Sequence, residues 1–384
     1  MDFDETPDTE MLRDAVAKVT AAFGPTYYQD KAKSGGRTTE LWEALGDAGF
    51  IAVNLPERHG GGGMGIAELA VVCEETAAQG CPLLLLLVSS AICGEVIKRF
   101  GTEAQQACWF PAMAAGREKM VFAITEPDAG SNSHRIATTA TRDGDQWVLQ
   151  GTKYYISGVD EAPRMLVVTR TGTAGDGGAE LSLFVVDCDS PGLTRTNIPV
   201  EVGAPEQQFQ LFFDDVRVDA DRLIGDVGEG LRIVFSGLNP ERVTGAAIEN
   251  GISRYALAKA SVYARERNVW GQPIGTHQGV SHPLAAAAIN VELARLMTQK
   301  AAWLHDRGGS AGEASNMAKY AAAEAALAAL DVAIQTHGGN GMASEYGLAH
   351  LWGMARLLRI APVSREMVLN FVAQHTLGLP RSYG

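Results

Sequence analysis

Apolar and polar residues follow two different rhythms along this chain, and the change of rhythm divides it. Up to about Arg117 the apolar positions recur at helical spacing, as in Thr39-Glu40-Leu41-Trp42-Glu43-Ala44-Leu45. From about Glu118 to Asp226 the residues become β-type and alternating: Gln146-Trp147-Val148-Leu149-Gln150, Arg164-Met165-Leu166-Val167-Val168-Thr169 and Leu181-Ser182-Leu183-Phe184-Val185-Val186. Gly, Asp and Pro turns separate these runs, which predicts a small antiparallel sheet domain or barrel. From Gly228 the chain is alanine-rich and helical again, as in Asn316-Met317-Ala318-Lys319-Tyr320-Ala321-Ala322. Helices, then sheet, then helices predict an α+β fold in three parts: residues 1–117, 118–226 and 227–384. The run Pro82-Leu83-Leu84-Leu85-Leu86-Leu87-Val88 is too short to cross a bilayer and predicts part of a buried helix.

Composition narrows the classes of function. With 384 residues, 46% hydrophobic and 20% charged, the chain reads as a globular protein of two or three domains. A formal net charge of -13 argues against nucleic acid and anionic membranes as partners, because phosphate binding needs a basic face. Met1-Asp2-Phe3-Asp4-Glu5 has neither the basic start nor the apolar core of a signal peptide, so a cytoplasmic location is expected. Cys73, Cys81, Cys93, Cys108 and Cys188 are odd in number and lack metal-ligand spacing, which predicts reduced, inert, buried thiols and no metal site.

Two local patterns call for a decision. Gly60, Gly62 and Gly65 form a literal G-x-G-x-x-G. The dinucleotide fingerprint also needs a strand, a helix and an acidic residue further on, where this chain has Cys81-Pro82-Leu83-Leu84-Leu85, so a flexible surface loop is the reading. Asn239-Pro240-Glu241-Arg242 predicts a helix start, with Asn239 as N-cap and Pro240 in the first helical position.

Four segments carry candidate chemistry. Phe122-Ala123-Ile124-Thr125-Glu126-Pro127-Asp128-Ala129-Gly130-Ser131-Asn132 is a strand end running into small and hydroxyl residues, where backbone N–H groups and the hydroxyls of Thr125 and Ser131 can bind a flat polar ring. Gly151-Thr152-Lys153-Tyr154-Tyr155-Ile156-Ser157-Gly158 is β-rich with a paired aromatic. Tyr263 to Ile274 ends in Arg265-Glu266-Arg267-Asn268-Val269-Trp270-Gly271, with His277-Gln278 after it. Gln335-Thr336-His337-Gly338-Gly339-Asn340-Gly341, followed by Glu345-Tyr346, offers glycines where backbone can come close to a ligand. Taken singly, these read more readily as strands, loops, a surface arginine, a core tryptophan and a turn. In this order, from the Gly-rich loop to Leu379, they resemble the acyl-CoA dehydrogenase family.

That resemblance implies a helical N-terminal domain, a middle antiparallel β domain and a C-terminal four-helix bundle. It implies FAD, held by Phe122, Ile124, Thr125, Gly130, Ser131, Tyr155 and Ser157 of one subunit. Arg267, Trp270, Gln278, Gln335, Gly338 and Gly339 reach across from another subunit, with Ser364 and Glu366 completing the set. Ser131, Arg242 and Pro362 are assigned to the acyl-CoA substrate. A homotetramer, a dimer of dimers, and reoxidation by an electron-transferring flavoprotein are implied as well. The chemistry is α,β-dehydrogenation: a base takes the α-proton and the flavin takes the β-hydride.

The chain departs from the family's commonest pattern at the base. The usual glutamate position after the Gly-Gly element holds Pro362, which cannot take a proton. A minority of relatives keep the base on the earlier helix just before an arginine, which is Glu241 here; Glu366 is the fallback. A glutamate near a helix start is favoured by the dipole whatever its function, which would weaken it as a base, whereas burial would strengthen it. Tyr155 replaces a usual tryptophan, and Gly353-Met354-Ala355 a usual Arg-Asp-Ala. A same-fold oxidase or oxygenase and a non-catalytic partner subunit are the alternative readings; retention of both halves of the flavin site argues against the latter.

Overall fold

The computed structural model describes residues 5–173, 175 and 178–382. Its first part holds α1 (Pro7–Ala21), α2 (Gly24–Ser34), α3 (Thr39–Asp47), α4 (Ile66–Ala78), a π-helical stretch (Leu86–Gly94), α5 (Glu95–Phe100) and α6 (Glu103–Ala114). Local chemistry explains the starts. Thr6 accepts a hydrogen bond from the Thr9 amide with Pro7 in the first turn, and Thr102 and Gln105 cap α6 reciprocally. Helix α4 has only Gly65 before it and borrows its cap from far away: the Asp306 carboxylate accepts from the amides of Ile66 at 2.8 Å and Ala67 at 2.9 Å. The leucine run lies in the π-helical stretch and the residues leading into it, all buried.

The Gly-rich loop is tightly laid down, contrary to its reading as a flexible one. The amides of Gly61, Gly62, Gly63 and Met64 donate to the carbonyls of Pro56, Ala52, Leu55 and Val53. A Cβ on Gly61 would meet the Leu55 carbonyl oxygen at 2.3 Å. The glycines serve a close backbone approach within the loop itself.

The middle part is one eight-stranded sheet: β1 (Met120–Ala123), β2 (Thr139–Asp143), β3 (Gln146–Ser157), β4 (Arg164–Thr173), β5 (Ala179–Asp187), β6 (Leu193–Ile198), β7 (Gln208–Asp219) and β8 (Leu223–Ile224). The order is β6-β7-β3-β2-β4-β5-β8, with β1 alongside β4. The pairing is antiparallel except that β1 runs parallel to β4, and β2 touches β4 in parallel at Thr139 and Arg170. Strands β4 and β5 are buried on both faces: Met165, Val167, Phe184 and Val186 join one core, while Leu166, Val168, Leu183 and Val185 join another. Their near-continuous apolar runs are the signature of a sheet covered on both sides.

The third part contains α7 (Gly230–Glu266), a hairpin of β9 (Asn268–Val269) and β10 (Gln272–Pro273), α8 (Gln278–Asp306), α9 (Gly312–His337), α10 (Leu351–Ile360) and α11 (Arg365–Phe371). Alanines at 318, 322, 325, 326, 329 and 333 on α9 are buried, as are Ala246, Ala247, Ala256 and Ala260 on α7. Asn239 and Pro240 do not start a helix; they lie inside α7. Proline removes one helical N–H and crowds the preceding turn. Residues 230–239 are nevertheless held helical by packing: Ile233 and Val234 join the core with Val96 and Ile97, and a Cβ on Gly237 would meet Val96 at 2.9 Å.

Cys73, Cys81 and Cys93 are buried, and burial pushes the Cys81 thiol up to about 12. Cys108 is exposed and Cys188 half-buried, so the expectation of uniformly buried thiols fails there. No described helix is long and apolar enough to cross a membrane.

Candidate active site

One group of predicted residues lies on β1, on β3 and on the segment between β1 and β2, and a buried ion pair joins that segment to β3. The Lys153 ammonium, fully buried on β3, donates to the Ile124 carbonyl at 3.0 Å and to Glu126 at 2.8 Å. Glu126 in turn accepts from the amides of Ala137 at 2.7 Å and Thr138 at 3.0 Å. The Tyr154 amide donates to the Thr125 carbonyl at 2.8 Å. The 124–138 segment is thereby fastened to β3, leaving Gly130 and Ser131 exposed and Phe122, Ile124 and Thr125 half-buried. Where β3 loses register with β7, between Lys153 and Ile156, Tyr155 takes φ 57° and stands 52% exposed, edge-on to Tyr154. A bulky residue at positive φ costs about 1–3 kcal/mol, and such strain concentrates at functional sites. Ser157 shares a hydrogen bond of 3.0 Å with Gln208. Sequence reading missed Lys153 and Glu126 as supports; a lysine within a β-rich run was the available signal.

A second group forms around the end of α7. Arg267 caps that helix and its side chain is exposed, as is Gln278 at the start of α8. Trp270 turns the β9–β10 hairpin at φ 52° and is 89% exposed. Helix α9 places Gln335 in its last turn and ends in Gly338 at φ 60°. The glycines after it have separate reasons. A Cβ on Gly341 would strike the Ile334 carbonyl oxygen at 2.5 Å, whereas Gly338 and Gly339 face open space. Asn340 donates to the hydroxyls of Tyr263 and Tyr346, both at 3.1 Å, and Tyr263 stacks on His337, which ties this turn to α7 near Arg267. That aromatic cluster was not legible beforehand. Among the described residues, no hydrogen bond or ring contact joins this group to Thr125, Ser131, Tyr155 or Ser157.

Glu241 lies well inside α7, so no helix terminus acts on it. It is buried, its Oε2 has no hydrogen-bond partner, and burial pushes its pKa from the ordinary 4.5 up to about 8 against the opposing pull of Arg242 and Lys319. Arg242 is buried beside it and donates to Asn239 at 3.0 Å. One turn along, Gly245 faces Leu87 and Leu358. Pro362 lies half-buried in the turn between α10 and α11, and Ser364 caps α11 through the Met367 amide. Glu366 is exposed beside Arg365. Gly353 departs from the family pattern for a packing reason, since a Cβ there would meet the Val202 carbonyl oxygen at 2.3 Å.

Residues 6–117, 121–216 and 228–377 match the N-terminal, middle and C-terminal domain descriptions of acyl-CoA dehydrogenase. The chain is 55% identical over 383 residues to acyl-CoA dehydrogenase FadE12 of Mycobacterium tuberculosis, covering 99% of each. It superimposes on a glutaryl-coenzyme A dehydrogenase–glutaryl-CoA complex with a TM-score of 0.94 and 30% identity, covering 100% of this chain and 98% of that one. It also superimposes on the FAD complex of PigA with a TM-score of 0.92 and 25% identity, covering 99% and 100%.

Proposed function

The chain belongs to the acyl-CoA dehydrogenase family, and we propose that it oxidises the Cα–Cβ bond of an acyl-CoA thioester with Glu241 as the base that takes the α-proton. The observation that carries this reading is the buried carboxyl of Glu241, with an unpartnered oxygen beside Arg242, where the alternative position holds a proline. A carboxyl poised near neutral pH is matched to abstracting a weakly acidic proton. Glu366 is the weaker candidate, because water solvates its exposed carboxylate.

FAD is the cofactor, and the residues present suit it. Gly130, Gly338 and Gly339 leave space that any Cβ would enter, and Tyr155 and Trp270 present aromatic surface outward. When bound, the flavin supplies the hydride acceptor. Thr125, Ser131 and Ser157 offer hydroxyls to its ring, with Tyr155 against it, and Lys153 keeps the backbone of the 124–126 segment in place beneath them. Arg267 and Gln278 offer donors to the pyrophosphate and adenine end, and Gln335 and the Gly338-Gly339 backbone approach beside them. Among the described residues no hydrogen bond or ring contact joins these two sets within one chain, which favours assembly with a second copy. Exposed Trp270, Ile289 and Leu293 give such a contact apolar surface, and a homotetramer is the assembly we propose. Arg242 orders the substrate cleft, and an electron-transferring flavoprotein serves as the acceptor.

Anaerobic mixing of the purified protein with a panel of acyl-CoAs tests the reaction. Bleaching of the flavin spectrum by at least one of them is expected; a flavin that no acyl-CoA reduces would sink the dehydrogenase reading. Replacing Arg267 with Ala is expected to weaken FAD retention by about 2–3 kcal/mol, the range of a charge-assisted contact. Equilibrium dialysis against free FAD measures it, and unchanged affinity removes Arg267 from the site.

Pro362 raises a second point, since a backbone N–H at this position helps bind the thioester oxygen in the family pattern and proline has none. Pro362→Gly restores the donor, and one such donor is worth about 3 kcal/mol in a barrier. Flavin reduction in this variant is expected to be as fast as in the parent or faster. If the variant keeps its FAD and fold yet loses nearly all activity, Pro362 shapes the acyl pocket itself and the oxyanion site lies elsewhere.

A further inference from the structure

A cavity of about 210 Å³ lies between the start of α1, helix α4 and the second half of α8, and none of the residues assigned to flavin or acyl-CoA lines it. Its sides are apolar, formed by Ala70 and Val71 of α4 and Leu296 and Trp303 of α8. Lys300 and Trp303 are exposed, so the cavity opens to solvent beside them. At ~30 Å³ for each water-sized group, it has room for about seven such groups.

One end of the cavity is charged, with Glu5, Arg13, Glu74 and Arg295 on its wall. Behind it Arg13 of α1, Arg254 of α7 and Arg295 of α8 converge on two buried carboxylates of α4. Glu74 accepts from Arg254 and Arg295, each at 2.9 Å, and Glu75 from Arg13 at 2.9 Å and Arg254 at 2.8 Å. Three guanidinium charges against two carboxylates leave one positive charge over. Glu5 cancels it: the carboxylate accepts from Nε of Arg13 at 3.0 Å and from its Nη2, and stands 3.9 Å from Nη2 of Arg295. Hydrogen bonding to Arg13 holds the Glu5 carboxyl below its ordinary 4.5, so it is ionised at neutral pH. The other charges here are spoken for or in water. Glu68 accepts from the Gly65 amide, Glu292 meets Arg295 from an exposed position, and Lys300 is exposed. Glu5 itself belongs to no helix, whereas the five groups it completes are fixed on α1, α4, α7 and α8.

We propose that this cavity binds a short-chain monocarboxylate, whose carboxylate takes the place of Glu5 on Arg13 and Arg295 while its alkyl tail lies along Val71, Leu296 and Trp303. A guanidinium holds a carboxylate through the same paired N–H groups whatever molecule carries it, so Glu5 marks where the head of the ligand sits. The apolar walls favour an alkyl tail, because methylenes placed there leave water. The volume suits a tail of about five or six carbons. Glu5 is then an internal competitor, and the ligand binds only the fraction of molecules in which it has moved aside.

Hexanoate is the probe, titrated by calorimetry into the FAD-loaded protein, with 1-hexanol as the uncharged control. Glu5→Ala is expected to bind hexanoate at least about tenfold more tightly than the parent, since the competitor is gone. The same variant is expected to bind 1-hexanol at least about tenfold more weakly than hexanoate. Val71→Trp, added to Glu5→Ala, fills the cavity and is expected to abolish binding; if it fails to fold, Ala70→Leu narrows the same wall. Should Glu5→Ala not fold, Glu5→Gln removes the charge and keeps the side chain. A folded Glu5 variant that binds hexanoate no better than the parent overturns the proposal, as does one that takes up none because a second copy covers the cavity. Equal affinity for 1-hexanol overturns the carboxylate role. Binding that survives the filled cavity places hexanoate elsewhere, the acyl-CoA site included, and overturns the proposal as well.

Discussion

Glu241→Gln is expected to slow reduction of the bound flavin by acyl-CoA at least about a hundredfold, the usual contribution of a positioned general base. The side chain keeps its length and an amide in place of the acid, and α7 has Val243, Ala246 and Ala247 packed around this turn, so FAD content and acyl-CoA binding should be nearly unchanged. Burial supplies the mechanism. A carboxyl raised to about 8 is a stronger base than one in water, and it must lose its proton before it can work. In the parent protein the reduction rate is thus expected to climb as pH rises through about 8, and that limb should be absent from the residual activity of the Gln variant. Stopped-flow absorbance across a pH series measures both. Parent-like rates in the variant would move the base to another residue, and Glu366→Gln is the control.

The second large effect belongs to a residue that touches no reacting atom. Lys153→Met is expected to destabilise the protein by about 3 kcal/mol, because truncating one member of a buried ion pair strands the other. Two backbone amides would still serve Glu126, which keeps the loss toward the lower end of the range. Lys153→Met combined with Glu126→Gln should recover a good part of it, since the stranded charge is then gone. Denaturant unfolding gives the free energies. A single-variant loss below about 1 kcal/mol, or a double variant no better than the sum of the two singles, would show that the pair does not hold the 124–138 segment. The same variant should lose FAD more readily than the parent, because Thr125 and Ser131 ride on that segment.

Much of the architecture was legible in the order of residues. The switch from helical spacing to β-type runs and back marks the three parts, because each periodicity can bury its apolar residues in only one kind of element. The four motif segments carried the cofactor reading through their resemblance, in order and spacing, to the acyl-CoA dehydrogenase family. Other features needed the assembled fold. Pro240 reads locally as a helix start, yet the packing of Ile233, Val234 and Gly237 carries α7 across it, and tertiary burial outweighs one missing N–H. That correction changes the chemistry, since it removes the helix terminus from Glu241.

The sequence by itself determined the kinds of element and, through its motifs, the family, because these depend on side-chain type and spacing along the chain. Only the tertiary structure decided which polar groups are taken out of water and what then faces them. The depth of Glu241, the Lys153–Glu126 pair and the grip of Lys319 on the carbonyls of Arg359 and Val363 all join positions far apart in the chain. Dielectric surroundings and charge partners are properties of that joined arrangement, so no local pattern of residues could state them.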